Sequence, residues 1–238
     1  SKAAGFVLLI RILFSATPAL ALHWPKLFVV VAAITILYGN LCAIPQRNLK
    51  RLLGYSSIGN AGYLLLGIAA ASASGESAVL YYLCGYLLSV LAAFCVISIV
   101  TRNTEDEDIA VFAGLHHRSP LLAAGLAMAM ISLAGIPPLA GFFGKFLLLK
   151  SVVDRGSSNP MFYTLVGIAL FGIVVSFYYY LGVVRAIYWA RAVDYSKIEV
   201  PMGLRLSLYF CIAGMLYLGL FPNSMVNLTR DAVSLLRF

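Results

Sequence analysis

The chain has 238 residues, of which 62% are hydrophobic and 11% charged, against roughly 25% charged in an ordinary soluble domain; that much apolar surface cannot be folded around a core in water. Its 17 Lys and Arg outnumber its 9 Asp and Glu for a net charge of +8, but the basic residues do not cluster on an aromatic-studded polar surface, which argues against nucleic acid as a partner. An integral membrane chain with basic loops accounts for both facts.

Taken in order, the apolar stretches fall at 3–22, 27–45, 52–72, 78–100, 120–149, 161–190 and 204–221, each long enough for a helix through about 30 Å of hydrocarbon. None alternates polar and apolar residues with period two, and an open sheet cannot satisfy its backbone in lipid. The expected fold is therefore all-α: a polytopic transmembrane helix bundle of about seven spans. The opening Ser1-Lys2-Ala3-Ala4-Gly5, without Met or a basic leader and already helical in pattern, reads as the start of a fragment.

Orientation follows from the basic loops, which are retained on the cytoplasmic side. Nine Lys and Arg fall in one set of alternate loops (Arg47, Lys50, Arg51, Arg102, Arg118, Arg185, Arg191, Lys197, Arg205) and five in the other (Lys26, Lys150, Arg155, Arg230, Arg237). The first set is expected to face the cytoplasm, with Ser1 on that side and Phe238 opposite. The acidic run from Glu105 to Asp108, with His116 and His117 beyond it, reads as a solvated loop in preference to a metal or proton-collecting site. After Pro222, apolar residues at 225, 228, 232, 235 and 236 make a helical stripe suited to the membrane surface or to a partner subunit.

The four cysteines, Cys42, Cys84, Cys95 and Cys211, lie singly inside apolar runs, and no G-x-G-x-x-G follows a strand. No disulfide framework, zinc or iron-sulfur site, or nucleotide fold is suggested, so this chain is expected to carry no cofactor and no metal. All nine carboxylates, Glu76 among them, fall in loops or the tail by this reading. An intramembrane lysine would then have no local anionic partner.

Lys145 is such a lysine. It follows Leu133-Ala134-Gly135-Ile136-Pro137-Pro138-Leu139-Ala140-Gly141-Phe142-Phe143-Gly144 inside the 30-residue run 120–149. A straight helix of that length would be roughly 45 Å long. Two successive prolines remove two backbone donors and clash with the preceding turn, so the helix is expected to break at Gly135, Pro137 and Pro138. The freed carbonyls need a hydrated or protein-lined cavity, and discontinuous helices of this kind build ion sites in transporters. Gly141 and Gly144 would let neighbouring helices or water approach. Lys145 either stands beside that break or snorkels to the interface; because Lys150 already supplies an interfacial cation, the first reading is preferred. A lysine taken out of water can lose its proton, which an arginine cannot, so Lys145 is a better relay candidate than Arg11. From composition alone Lys2 is an ordinary helix-end cation. Ser56, Ser57, Asn60 and Tyr63, with Tyr81, Tyr82, Tyr86 and Ser89, could line a polar axis, although each singly also suits packing, and Tyr178-Tyr179-Tyr180 suits an aromatic belt.

Three groups of residues resemble a known family: Lys2-Ala3-Ala4-Gly5-Phe6; Gln46-Arg47-Asn48-Leu49-Lys50-Arg51-Leu52-Leu53-Gly54-Tyr55-Ser56-Ser57-Ile58 with Gly62-Tyr63; and Ser132-Leu133-Ala134-Gly135-Ile136-Pro137-Pro138 with Gly141-Phe142 and Gly144-Lys145-Phe146. They are similar to the antiporter-like membrane subunits of respiratory complex I, the proton-pumping NADH:quinone oxidoreductase, and most like the subunit N type. The resemblance implies a subunit of fourteen helices with two inverted five-helix repeats, of which this chain would be the C-terminal half. Residues 1–24 would be the last helix of the first repeat, 25–195 the second repeat, and 196–238 an additional helix and amphipathic tail.

It further implies that Lys2 and Lys145 belong to a proton relay, with Ser56, Ser57, Asn60 and Tyr86 as a candidate polar pathway. NADH, FMN, iron-sulfur clusters and quinone would belong to partner subunits of the complex. The upstream half, with a further lysine and a glutamate, would complete the chain. The implied location is the bacterial cell inner membrane, with the mitochondrial inner membrane as the alternative. A subunit of a cation/proton antiporter and a non-conducting structural membrane subunit remain as rival functions.

Overall fold

The computed structural model describes residues 2–16, 24–102, 106–156, 159–191 and 196–236. Helix α1 (Lys2–Arg11) runs into a π-helical turn at Ile12–Ala16; then come α2 (Trp24–Ala43), α3 (Leu49–Ala69) and α4 (Ala73–Val100). A short 3-10 turn (Ile109–Phe112) and α5 (Leu115–Arg118) lead to α6 (Pro120–Ala134) and α7 (Ala140–Gly156), followed by α8 (Met161–Trp189), α9 (Met202–Leu220) and α10 (Pro222–Leu236). No strand occurs among the described residues.

Five helices, α2, α3, α4, α8 and α9, are long and apolar enough to cross a membrane. The expected seven become five for two reasons. The run 120–149 is divided into α6 and α7, neither of which reaches full length, and the run 3–22 is described only as far as residue 16.

Local chemistry sets the ends. Asn48 caps α3 by accepting from the Arg51 amide at 3.0 Å, and Pro120 opens α6, where a missing N–H costs nothing. Ser72 caps α4, its hydroxyl accepting from the Gly75 amide at 3.1 Å. This cap starts α4 five residues before the apolar run, so Glu76 is a buried residue of the helix's first turn, 1% exposed, rather than a loop carboxylate. An acid is well matched to that end of the helix dipole.

α2 and α3 are in close contact because glycines face one another; a Cβ on Gly39 would lie 2.2 Å from the Gly59 amide nitrogen. The apolar core divides into two clusters. One lies between α3, α4, α6, α8 and α9, and the other between α2, α3, α4, α7 and α8.

The basic loops gather at one end. Asn48 and Asp108 form an antiparallel bridge, with Leu49 N–H donating to Glu107 O and Ile109 N–H to Arg47 O, both at 2.9 Å. Lys50 pairs with Glu107 at 2.5 Å. Ile198 N–H donates to Arg118 O at 3.2 Å, which brings the third loop to the second. Asp106 and Asp108 of the acidic run accept from backbone amides of the same loop, as a solvated segment would; Glu105 lies outside the described residues. α10 packs on α4, where the Ser77 and Thr229 hydroxyls meet at 2.8 Å.

Candidate functional site

α6 closes with Gly135 in the left-handed conformation, φ +89°, a conformation that costs glycine little. An α-helix leaves its last four carbonyls without intrahelical donors. The first two here are served locally: Ile136 N–H donates to Ile131 O at 3.2 Å and Gly135 N–H to Ser132 O at 3.0 Å, the paired pattern of a glycine-terminated helix. The other two belong to Leu133 and Ala134. The Lys145 ammonium donates to both, at 2.7 and 3.0 Å.

Lys145 is 3% exposed and sits on the turn of α7 that follows the break, reaching back over Gly135. The C-terminal end of α6 carries the negative pole of its dipole, so the cation stands where that pole is strongest. The Tyr63 ring lies beneath it, 4.9 Å from ring centroid to nitrogen. Two glycines make the approach possible. A Cβ on Gly141 would lie 1.8 Å from Ser132 O, and one on Gly144 would lie 2.4 Å from the Tyr82 ring. α9 covers the break from outside, where a Cβ on Gly219 would meet Pro138 O at 1.8 Å.

A hydrogen-bonded polar cluster lies between the helices. Ser56 and Tyr180 share a hydrogen bond, and the Asn60 amide donates to each of them at 3.3 Å. Tyr82 O–H donates to Asn60 Oδ1 at 2.7 Å. Nearby, Tyr179 O–H donates to Asn40 Oδ1 at 3.0 Å and Tyr63 O–H to Ala169 O at 3.4 Å. All of these side chains are buried.

Lys2 forms a second centre. Its ammonium donates to Ser57 O and Ser57 Oγ, each at 2.6 Å, and lies 5.3 Å from the centroid of the Tyr86 ring. Thus Ser56 and Asn60 join one cluster, while Ser57 and Tyr86 stand with Lys2. α3 connects the two centres, since Ser57 and Tyr63 are six residues, roughly 9 Å, apart along it. Tyr82 adjoins both, against Gly144 on one side and 6.3 Å from the Tyr86 ring on the other.

Composition-based reading missed Asn40, although an amide within an apolar run is itself a signal. It also set Tyr179 and Tyr180 in an aromatic belt. Only Tyr178 of that triplet faces outward, 70% exposed.

A family model described as NADH:quinone oxidoreductase/Mrp antiporter, transmembrane, matches residues 1–181. The chain belongs to this family. NADH-quinone oxidoreductase subunit N of Moorella thermoacetica is 42% identical over 236 residues, covering 98% of this chain and 48% of that protein. The chloroplastic NAD(P)H-quinone oxidoreductase subunit 2 of Nephroselmis olivacea is 36% identical, covering 98% and 47%. Among solved structures, a chain of respiratory complex I from Thermus thermophilus with bound aureothin superposes with a TM-score of 0.74 at 33% identity, over 85% of this chain and 45% of that one. The Mrp complex from Dietzia sp. shares the fold, with a TM-score of 0.79 at 20% identity over 90% of this chain and 48% of that one. The chain thus spans about half the length of the curated relatives it matches. Within the family it is similar to the N-type antiporter-like subunits, and its apolar helices are those of a multi-pass membrane protein.

Proposed function

We propose that this chain is the C-terminal portion of a proton-translocating subunit of NADH:quinone oxidoreductase, with Lys2 and Lys145 as two stations of a lysine and water relay. The observation that carries the reading is the Lys145 ammonium, 3% exposed and held by the Leu133 and Ala134 carbonyls of an interrupted helix. Buried ionisable groups at membrane depth are costly and mark ion routes. Water admitted at the break would compete with those two carbonyls for the ammonium, and its proton could then pass toward Tyr63 and the Asn60 cluster. Lys2, half-buried against Ser57 and Tyr86, would exchange protons with the part of the protein upstream.

NADH, FMN, iron-sulfur clusters and quinone belong, in this reading, to partner subunits, whose electron transfer shifts the hydration and proton affinity of the lysines. The 25–195 segment acts as the second inverted repeat, and the basic end of the bundle faces the cytoplasm of a bacterial inner membrane. The gathering of Arg47, Lys50, Arg102, Arg118 and Lys197 at one end supports that orientation.

The test is Lys145→Arg beside Lys145→Ala in the full-length protein within its membrane assembly. Arginine retains the charge and the carbonyl bonds but not the deprotonation. Lys145→Arg is expected to assemble and to lose proton translocation; Lys145→Ala, which leaves the Leu133 and Ala134 carbonyls without that donor, is expected to lose translocation and to be less stable as well. A normal proton-to-electron ratio in assembled Lys145→Arg would remove Lys145 from the relay.

A further inference from the structure

At the basic end, a cleft of about 790 Å³ opens between the C-terminus of α4, the α5–α6 junction and the start of α9, lined by Arg102, Arg118, Lys197 and Glu199. A second lobe of about 860 Å³ shares Arg118, Lys197 and Glu199 and adds Arg205 and Tyr209. Each lobe is within the range of small-molecule sites, roughly 300–1,000 Å³. The two lobes together carry four cationic side chains and one carboxylate among the described lining residues. Arg118 lies along the cleft wall, donating long hydrogen bonds to Val111 O at 3.4 Å and Ser196 O at 3.5 Å.

The cleft lies where the apolar helices end. α4 and α9 are adjacent there, Cys95 Sγ standing 3.9 Å from Leu204 O. The two helices that border the cleft carry exposed apolar side chains, Leu206, Tyr209, Phe210 and Tyr217 on α9 and Leu87, Leu91 and Phe94 on α4, of which Tyr209 lines the cleft itself. Cations at the head and aliphatic and aromatic side chains below them match one ligand class in polarity and in order along the membrane normal. A soluble anion would use the cations and leave the two apolar faces without a role.

We propose that this cleft binds the headgroup of an anionic glycerophospholipid, its phosphate against Arg102, Arg118 and Lys197 and its acyl chains along α4 and α9. Basic pockets between helices at this depth attract anionic lipids by about fivefold for each cation near the surface. Phosphatidylcholine carries its own cation and is disfavoured. Phosphatidylglycerol is preferred, because Glu199 can accept from a headgroup hydroxyl.

The assembly purified with the full-length chain, reconstituted in phosphatidylcholine vesicles containing a trace of photoactivatable phosphatidylglycerol, tests this. Cross-links are expected on the segment 202–217, several-fold above those from photoactivatable phosphatidylcholine. They should fall about tenfold or more in Arg102→Gln/Lys197→Gln, and be retained in Lys197→Arg, which checks that the segment is still folded. Inorganic phosphate should compete only weakly. Equal labelling by the two lipids, or unchanged labelling in the double variant, would overturn the proposal. So would full competition by inorganic phosphate, which identifies a free-anion site, and so would cross-linking of the segment to another protein subunit in place of lipid.

Discussion

Lys145 takes up two carbonyls that a terminated helix has left over, whereas Lys2 takes one carbonyl that belongs to the uninterrupted interior of α3, together with a serine hydroxyl. The first arrangement removes a debt of the fold itself, because buried carbonyls without donors are costly. The second adds a bond to a carbonyl already engaged in its helix. The Lys145 site is thus part of what holds α6 and α7 in their relative positions. The Lys2 site can be lost with little effect on the bundle. A relay built from such unlike stations has one end set by backbone architecture and the other by side chains.

The comparison is broken most directly at Gly141. A Cβ there would overlap Ser132 O, so Gly141→Ala should force α7 off the end of α6 and destabilise the full-length protein by about 3 kcal/mol. Gly54→Ala on the exposed face of α3, where nothing lies within 4 Å, should be neutral or stabilising. Thermal unfolding in detergent, followed by reaction of the buried Cys211 thiol, measures both, and equal midpoints would contradict the close approach. Next in size is Tyr82→Phe, which removes the donor to Asn60 Oδ1 and leaves a buried acceptor unsatisfied at a cost of about 2 kcal/mol. Because Tyr82 lies between Gly144, next to Lys145, and Tyr86, beside Lys2, proton-translocation rates should fall even where the protein still assembles.

Ser57→Ala sharpens the contrast from the Lys2 side. Lys2 keeps its bond to the Ser57 carbonyl and loses only the hydroxyl, an effect of about 1 kcal/mol or less on the same unfolding midpoint. A loss as large as that of Gly141→Ala would mean that the two centres are equally structural.

The smallest effect lies outside the bundle, at the partly exposed Glu107. Hydrogen bonds from Lys50 and then Asn48 hold its carboxyl below the ordinary carboxylate range. Its contribution is therefore present above the unfolded-state value, near 4.3, and is lost as the pH falls through the depressed folded value. Amide protection at Leu49 and Ile109, taken relative to the intrinsic exchange rate at each pH, should fall in that acid window, and Glu107→Gln should flatten the dependence.

Much of the site was legible because its signals are local. Pro137 and Pro138 cannot continue a helix, a lysine within an apolar run needs an acceptor, and Gly141 and Gly144 announce a close approach. The polar axis was legible only as a set of residue types. Ser56, Ser57 and Asn60 are neighbours on one helix, yet they serve two centres because successive residues point about 100° apart. Glu76 was assigned to a loop because helix caps are polar and escape a count of apolar runs. The division of Tyr178-Tyr179-Tyr180 into one outward and two inward rings depends on how α8 is rotated against α2 and α3.

Composition and periodicity by themselves determined that the chain is a helical membrane bundle, where it is interrupted, and which lysine needs explaining, because lipid leaves the backbone no other solution. Tertiary structure alone decided that the amine of Lys145 closes the last two carbonyls of α6, that Asn40 and Tyr180 enter the polar interior, and that four cations from the α4–α6 connection, the α8–α9 connection and the start of α9 share one cleft. Apart from Lys145 and its acceptors, which are 11 and 12 residues apart, those pairings join residues far apart in the chain, and no local pattern encodes which helix faces meet.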